Sequence, residues 1–175
     1  MGRLDGWQFC PRCGARGEHR GPSFACPKCR HVEWSNPVPG SQAVLERDGC
    51  VLLGRRRFEP SKGLWDLPGG FVDEHEHPLE ALHRELREEI AVDGTIEALL
   101  REVHYDVIKR RGVQYKVVRY FLVRAAAGKL RPNLGEGIRR ARWVAPTEAL
   151  RRLHNDRVRD VLERAIIGLL AAQQP

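Results

Sequence analysis

Two C-x-x-C pairs near the start of the chain, Cys10-Pro-Arg-Cys13 and Cys26-Pro-Lys-Cys29, stand twelve residues apart. Each pair lets two thiolates reach one tetrahedral ion, and the connector brings the two halves together. A segment of about thirty residues cannot bury enough surface to fold alone, so a shared zinc ion is the device it needs. Disulfides are the alternative use of four cysteines, but they belong to oxidising compartments. Here the first thirty residues carry Arg3, Asp5, Arg12 and Arg16 where a secretory signal would carry an apolar stretch. The fifth cysteine lies in the apolar run Cys50-Val51-Leu52-Leu53 and reads as a buried strand residue.

This spacing is that of a zinc ribbon. The expected organisation is a ribbon over residues 1–36 and a larger domain over residues 37–175, joined at the stiff, non-helical stretch Asn36-Pro37-Val38-Pro39-Gly40. A chain of 175 residues with 42% apolar and 30% charged residues suits one ordinary domain plus a small appendage, which excludes the disordered class. The longest apolar stretch, Ala165 to Ala172, falls far short of the roughly 18 residues of a membrane span. The expectation is a cytoplasmic protein with no membrane partner.

Within the larger domain, Gln42 to Leu45 and Cys50 to Leu53 read as strands around the Asp48-Gly49 turn. Glu59 to Gly63 is a loop, and Leu64 to Pro68 is an extended approach to Gly69-Gly70. Pro78 to Ile90 is the clearest helix, with proline in its first turn and acids at its start. Thr95 to Val107, Val113 to Val123 and Ala141 to Val144 are strands, and Gly128 to Gly137 is a loop. Two helices, from Thr147 through His154 and from Asp156 to Leu170, close the chain. Strands mixed with a few helices point to an α/β domain with helices packed on a mixed sheet.

Charge is unevenly spread. Lys and Arg total 30 against 23 Asp and Glu, a formal +7 that favours anionic partners. Between Gly70 and Val92, seven acids and two bases give −5, which leaves +12 for the rest. An acidic island in a basic body is the arrangement of a divalent-cation site facing an anionic substrate; a solvated acidic helix face is the plainer alternative. On the helix, Leu79, Leu82, Leu86 and Ile90 form one core stripe. Glu85, Glu88 and Glu89, spaced i, i+3, i+4, share a second face where mutual repulsion costs stability. Hard cations with oxygen ligands offset that repulsion. Arg84, four residues from Glu80 and Glu88, can neutralise one or two of the acids but not the cluster.

These residues carry a resemblance. Gly70, five residues, Glu76, seven residues, then Arg84-Glu85-Leu86-Arg87-Glu88-Glu89-Ile90-Ala91-Val92 is similar to the Nudix box, G-x5-E-x7-R-E-U-x-E-E-x-G-U with U aliphatic. Ala91 stands where the family has glycine; every charged position is kept, and Leu64 to Gly70 looks like the usual approach to the box. The resemblance implies an α/β/α sandwich with a mixed sheet and hydrolysis, with Mg²⁺ or Mn²⁺, of a nucleoside diphosphate linked to a further group. It implies that Glu85, Glu88 and Glu89 are the metal carboxylates, Glu88 and Glu89 foremost, with the Gly69 carbonyl as a backbone ligand. Arg84 and Glu76 match the pair that braces the loop against the helix. Ala91 makes a left-handed helix end harder to form, without touching the carboxylates.

Water attacking phosphorus is repelled by the surrounding oxygens, so cations and a proton-accepting carboxylate are both required. Glu85 is one candidate base; Glu136, in Gly135-Glu136-Gly137, is the other, as in members whose base lies on a later loop. For substrate, a ribbon before such a domain resembles NADH pyrophosphatases and relatives acting on dinucleotide cofactors. The S-Q-P-W-P-F-P-x-S segment of that group is absent, and Ile108 stands where many ADP-ribose pyrophosphatases have proline. The diadenosine polyphosphate tyrosine and the coenzyme A signature are unmatched as well. Arg55, Arg56 and Arg57 can meet substrate phosphates or form a solvated run. Only one of three consecutive strand residues readily faces a site edge, and Arg55 is singled out, while Tyr105, with His104, Tyr115 and Tyr120, can stack on a base. Tyr120, Trp65 and Trp143 suit the core better. The eleven bases and five acids from Arg124 to Arg164 would suit RNA as a partner. The leading reading is a pyrophosphohydrolase acting on a dinucleotide cofactor or nucleotide sugar of NADH, FAD or ADP-ribose type. A non-catalytic nucleotide sensor and an RNA-binding regulator are the alternatives. Four cysteines close a zinc shell, so the ribbon is expected to be structural or to form a homodimer, and not to take part in catalysis.

Overall fold

The structure, a computed structural model, describes residues 4, 6–20, 23–34, 39–59, 61–109 and 112–171. Residues 36–38 of the connector expected at Asn36 to Gly40 lie outside them, as does the side chain of Tyr115; Pro39 and Gly40 open a strand. Two compact units are present: Met1–Pro37 with Asp73–Glu76, and Val38–Val72 with His77–Pro175.

The first unit holds three short antiparallel strands in the order β1 (Glu18–Arg20), β2 (Ser23–Ala25), β3 (Val32–Trp34). Its two cysteine knuckles repeat one hydrogen-bond pattern. Gly14 N–H donates to Cys10 O at 2.9 Å and Cys10 N–H to Ala15 O at 2.8 Å; sixteen residues on, Arg30 N–H donates to Cys26 O at 3.0 Å and Cys26 N–H to His31 O at 2.8 Å. The apolar core is small: Phe24 is fully buried beside Leu4, with the edges of Trp7 and His19 against its ring at 5.6 and 5.5 Å.

The second unit runs β4 (Pro39–Arg47), β5 (Cys50–Arg56), β6 (Trp65–Asp66), β7 (Gly69–Phe71), α1 (Pro78–Ile90), β8 (Gly94–Lys109), β9 (Gly112–Ala125), β10 (Ile138–Val144), α2 (Pro146–Arg152), α3 (Asp156–Ala171). Its sheet has the order β10-β5-β4-β9-β8, with β6 added to β5 and β7 to β4. Strands β4 and β9 are parallel and the other pairs antiparallel, so the sheet is mixed. Asp48 (φ 52) and Gly49 (φ 73) both lie in the left-handed region, the type I′ turn that joins β4 to β5.

Alternation along the strands sends neighbouring side chains to opposite faces. Val44, Val51, Leu53 and Tyr120 pack with Ala149, Leu153, Val158, Val161 and Leu162 of the α2–α3 side. Ala43, Leu45, Leu52, Phe121 and Val123 pack with Leu82, Leu86 and Ile90 of α1. The result is an α/β/α sandwich. Because both faces are covered, β4 reads Ala43-Val44-Leu45 with no polar alternation. Cys50, expected to be buried, is partly exposed, because it opens β5 opposite Arg47 at the hairpin end. Among the described residues, no helix is long and apolar enough to cross a membrane.

Helix α1 begins where the sequence places it. His77 Nδ1 accepts the Leu79 amide at 3.3 Å, Glu80 Oε2 accepts the His77 amide at 3.3 Å, and Pro78 occupies the first turn. It ends on Ala91 in a left-handed cap (φ 55, ψ 42), despite the absence of glycine. Ala91 N–H reaches Arg87 O at 3.0 Å and Val92 N–H reaches Leu86 O at 3.2 Å, while Val92 is buried in the α1-side core. These contacts hold a conformation that costs a non-glycine residue about 1–2 kcal/mol. Ala91→Gly is therefore expected to stabilise the protein by about 1 kcal/mol, seen as a Tm higher by about 3 °C in thermal denaturation.

Candidate active site

Two glycines allow β7 to meet both β4 and α1. Gly69 has φ +131, and a Cβ there would lie 2.2 Å from Ser41 O and 2.7 Å from Gln42 Cα. A Cβ on Gly70 would lie 2.3 Å from the carboxyl carbon of Glu85. Any side chain at either position would displace the strand or the carboxylate. Fully buried Ser41 donates its hydroxyl to Pro78 O at 2.8 Å, tying β4 to the start of α1.

The three glutamates of α1 differ in environment. Glu89 is 7% exposed and accepts the Gly69 amide at 2.9 Å. Burial raises its pKa to about 8; the Gly69 amide opposes that rise, and the neighbouring Glu85 adds to it. Glu85 is also raised by burial, against the pull of Arg84, with smaller contributions from Glu88 and Glu136. Glu88 is exposed. Arg84 Nη1 donates to Glu85 at 3.0 Å and Glu88 at 3.2 Å, and Nη2 to the Phe71 carbonyl at 3.0 Å, joining the helix to the strand after Gly70. The ion-pair reading of this face thus accounts for Glu85 and Glu88 but not for Glu89. Carboxylates kept from water with incomplete compensation fit a hard divalent cation, which would replace the proton on Glu89.

The other sequence candidates divide. Glu136, exposed on the loop after β9, lies within electrostatic range of Glu85. Glu76 Oε2 accepts the amide of Asp73 at 3.1 Å, closing its own loop. Arg55 Nε donates to Gly63 O at 2.8 Å and so holds the loop before β6. Tyr105 is half-buried against the α2–α3 side core, with the Arg157 guanidinium 4.9 Å from its ring centroid. Tyr120 is buried as expected; Trp65 and Trp143 are partly buried, one packed against each of the two core clusters, with Arg152 and Arg47 over their rings. His104 is exposed and bonded to Glu102 at 2.7 Å.

Sequence reasoning missed Asp66, and within the arginine run it singled out Arg55 where the structure places Arg56 at the cleft. Arg56 and Asp66 line a cleft of about 520 Å³ together with Trp65, Asn155 and Arg157. Both also act electrostatically on Glu89, and Arg56 Nε is buried with no hydrogen-bond partner among the described residues. Burial raises the pKa of Asp66, opposed by the amide of Leu67. The available signal was alternation: Arg55 pairs with Trp65 and Asp66 with Gly54, so adjacent residues of β5 and β6 serve opposite faces.

In the first unit the Sγ atoms of Cys10, Cys13, Cys26 and Cys29 all lie within 4.8 Å of one another. The pairs Cys10–Cys29 and Cys13–Cys26 stand at 3.6 Å, close to the ~3.8 Å edge of a tetrahedron with metal–sulfur bonds of about 2.3 Å. The Cys29 amide holds the Cys26 thiol down to about 7, and the Arg12 amide donates to Cys10 Sγ at 3.4 Å. The four thiols are placed for one ion with no open position.

The raised pKa of Glu89 has a consequence for stability. A carboxyl group with a folded pKa near 8 and an ordinary unfolded value contributes stability fully only below about 4.5 and loses it as pH rises through about 8. With Mg²⁺ and Mn²⁺ omitted, Glu89→Gln is expected to gain on the wild type by about 1 kcal/mol per pH unit between pH 5 and 8, measured by urea unfolding. A difference that does not change with pH would contradict this.

A model of the NUDIX domain family matches residues 39–165. The chain is 37% identical over 116 residues to the RNA pyrophosphohydrolase of Halorhodospira halophila, covering 58% of this chain and 62% of that protein. It is 25% identical over 155 residues to the NAD-capped RNA hydrolase NudC of Vibrio vulnificus, covering 83% of this chain and 56% of that protein. The crystal structure of a MutT NUDIX hydrolase from Burkholderia pseudomallei superposes with a TM-score of 0.60 at 30% identity, covering 73% of this chain and 97% of that one. The chain spans about half the length of the curated relatives it matches. With the matching region running from β4 into α3, and Glu85, Glu88 and Glu89 of the box on α1 beside Gly69 and Gly70, the chain belongs to the Nudix family.

Proposed function

We propose that this chain is a metal-dependent pyrophosphohydrolase that cleaves the pyrophosphate bond of a nucleoside diphosphate linked to another group. The substrate class is a dinucleotide cofactor or nucleotide sugar of NADH, FAD or ADP-ribose type. The observation that carries the reading is the juxtaposition of Glu85 and Glu89, both shielded from water, with the Gly69 amide on Glu89. Such a site gains most from a bound dication. The intact acid set argues against a purely sensing role.

Glu88, Glu89 and the Gly69 carbonyl would hold Mg²⁺ or Mn²⁺, with Glu85 beside them. When bound, the metal neutralises the diphosphate oxygens and acidifies water. Arg84 keeps Glu85 and Glu88 on the side of the helix nearest β7. Arg56, partly exposed where it lines the cleft, supplies guanidinium donors for a substrate oxygen at the inner edge, and Trp65 offers a flat apolar surface there. Tyr105, capped by Arg157, lies close to that edge. Glu136 takes the proton of the attacking water, since Glu85 is occupied by Arg84. The names of the relatives, an RNA pyrophosphohydrolase and an NAD-capped RNA hydrolase, support a nucleotide-derived substrate and leave the 5′ end of an RNA as the second reading. The ribbon is a separate domain whose four thiolates hold zinc in a structural role.

The test is release of nucleoside monophosphate from NADH, NAD, ADP-ribose, FAD, diadenosine polyphosphates, nucleoside triphosphates and NAD-capped RNA, with Mg²⁺ and with Mn²⁺. Turnover of one class is expected, reduced at least ~10³-fold in Glu89→Gln, as for loss of a group acting on the developing charge. Ligand binding with no turnover of any substrate would support the sensor instead.

A further inference from the structure

Glu136 stands on a loop, residues 126–137, whose placement depends on distant parts of the chain. Arg131 N–H donates to Ile90 O at 3.0 Å and Asn133 N–H to Glu89 O at 2.8 Å, fixing the first half of the loop to the end of α1. The second half is held from the residue after β5. The Arg57 backbone N–H donates to Gly137 O at 2.7 Å, and its guanidinium Nη1 donates to Leu134 O at 2.8 Å. One residue thus grips the chain on both sides of Glu136.

Phe58 closes the grip. Its ring lies against Gly137, where an added Cβ would come within 3.2 Å of Phe58 Cδ2, and Gly137 has φ +85. The Arg57 guanidinium lies 5.1 Å from the Phe58 ring centroid. Leu130 packs the first half of the loop against the α1-side core, but Phe58 and Leu134 are both about half exposed, so burial of apolar surface contributes little to ordering the second half. Fixing these residues costs conformational entropy, and the hydrogen bonds from Arg57 help to offset it, together with those inside the loop from Gly135 N–H to Asn133 Oδ1 at 2.9 Å and from Ile138 N–H to Asn133 O at 3.1 Å. A general base must stay within hydrogen-bond reach of its water, and a displacement of about 1 Å costs about 10²-fold in rate.

We propose that Arg57 is a positioning residue that holds the loop so that Glu136 faces the carboxylates of α1. This rests on the reading of Glu136 as the proton acceptor; Arg57 acts through Glu136 and not on the substrate. Its guanidinium is one of three in Arg55-Arg56-Arg57, and the three go to different places. Arg55 binds Gly63, Arg56 lines the cleft and Arg57 holds the loop.

The experiment compares Arg57→Ala, Arg57→Lys, Glu136→Gln and the double variant Arg57→Ala/Glu136→Gln in the full chain, with NADH, ADP-ribose and NAD-capped RNA as substrates and Mn²⁺ as the metal. Arg57→Ala is expected to lower kcat by about 10–100-fold with KM and Mn²⁺ affinity within about threefold, and Arg57→Lys, which keeps one donor, to fall between. The double variant is expected to be no more than about threefold slower than Glu136→Gln alone, because residues acting through one another are not additive. Amide exchange at Gly135 and Ile138 is expected to quicken at least ~10-fold in Arg57→Ala. Where Glu136→Gln lowers kcat, wild-type kcat in Arg57→Ala, or losses that multiply fully in the double variant, would overturn the proposal. If Glu136→Gln keeps its kcat, the base reading fails by itself and exchange decides the clamp: faster exchange supports it, unchanged exchange overturns it.

Discussion

Glu89 keeps its carboxyl group almost wholly out of water while accepting the amide of Gly69, and much of the second unit is arranged around that bond. It requires β7 to pass so close to β4 that only glycine fits at position 69, and so close to α1 that only glycine leaves room for Glu85 at position 70. It also requires a helix anchored at both ends. The His77–Glu80 capping pair holds the start, and the strained cap at Ala91 holds the finish together with Arg131 and Asn133, whose amides take the carbonyls of Ile90 and Glu89. Packing, backbone strain and electrostatics therefore converge on one helix. That convergence is how a folded chain stores the cost of crowding acids that repel one another.

The uneven charge of the chain follows from this arrangement. The acids between Gly70 and Val92 are not a solvated face alone: Glu85 and Glu89 are withdrawn from water, and Glu88 stays exposed. Around them the cations have different partners. Arg84 neutralises part of the cluster, Arg55 and Arg57 bind carbonyl oxygens, and Arg56 lines the cleft. A run of three arginines that reads as one basic patch is thus three separate devices, because consecutive strand residues alternate in direction and strand ends feed loops.

What the sequence reveals and what it hides divide along the same contrast between local and distant contacts. Helix α1 is readable from Pro78 to Ile90, because its cap, proline and apolar stripe lie within thirteen residues. The Asp48-Gly49 hairpin is readable for the same reason. The thiol cluster follows from two local spacings, and the acids of the box from one window. By contrast, the parallel pairing of β4 with β9 joins Pro39 to Val117, and no local pattern encodes it. The sequence favours Arg55 over Arg56 as a phosphate contact, because a single sequence does not reveal which face of β5 meets α1. Arg57 and Leu134 are partners across 77 residues. At Ala91 local preference opposes the left-handed cap, and the surrounding contacts override it.

The most direct measurement of the central claim is calorimetric titration of the protein with Mn²⁺ at pH 7 in two buffers of different ionisation enthalpy. If the carboxylates of α1 form the dication site, with Glu89 protonated until the ion arrives, binding releases about one proton per ion, and Glu89→Gln abolishes the release and weakens binding. Proton-neutral binding in the wild type, or full affinity in Glu89→Gln, would contradict the account and place the metal elsewhere.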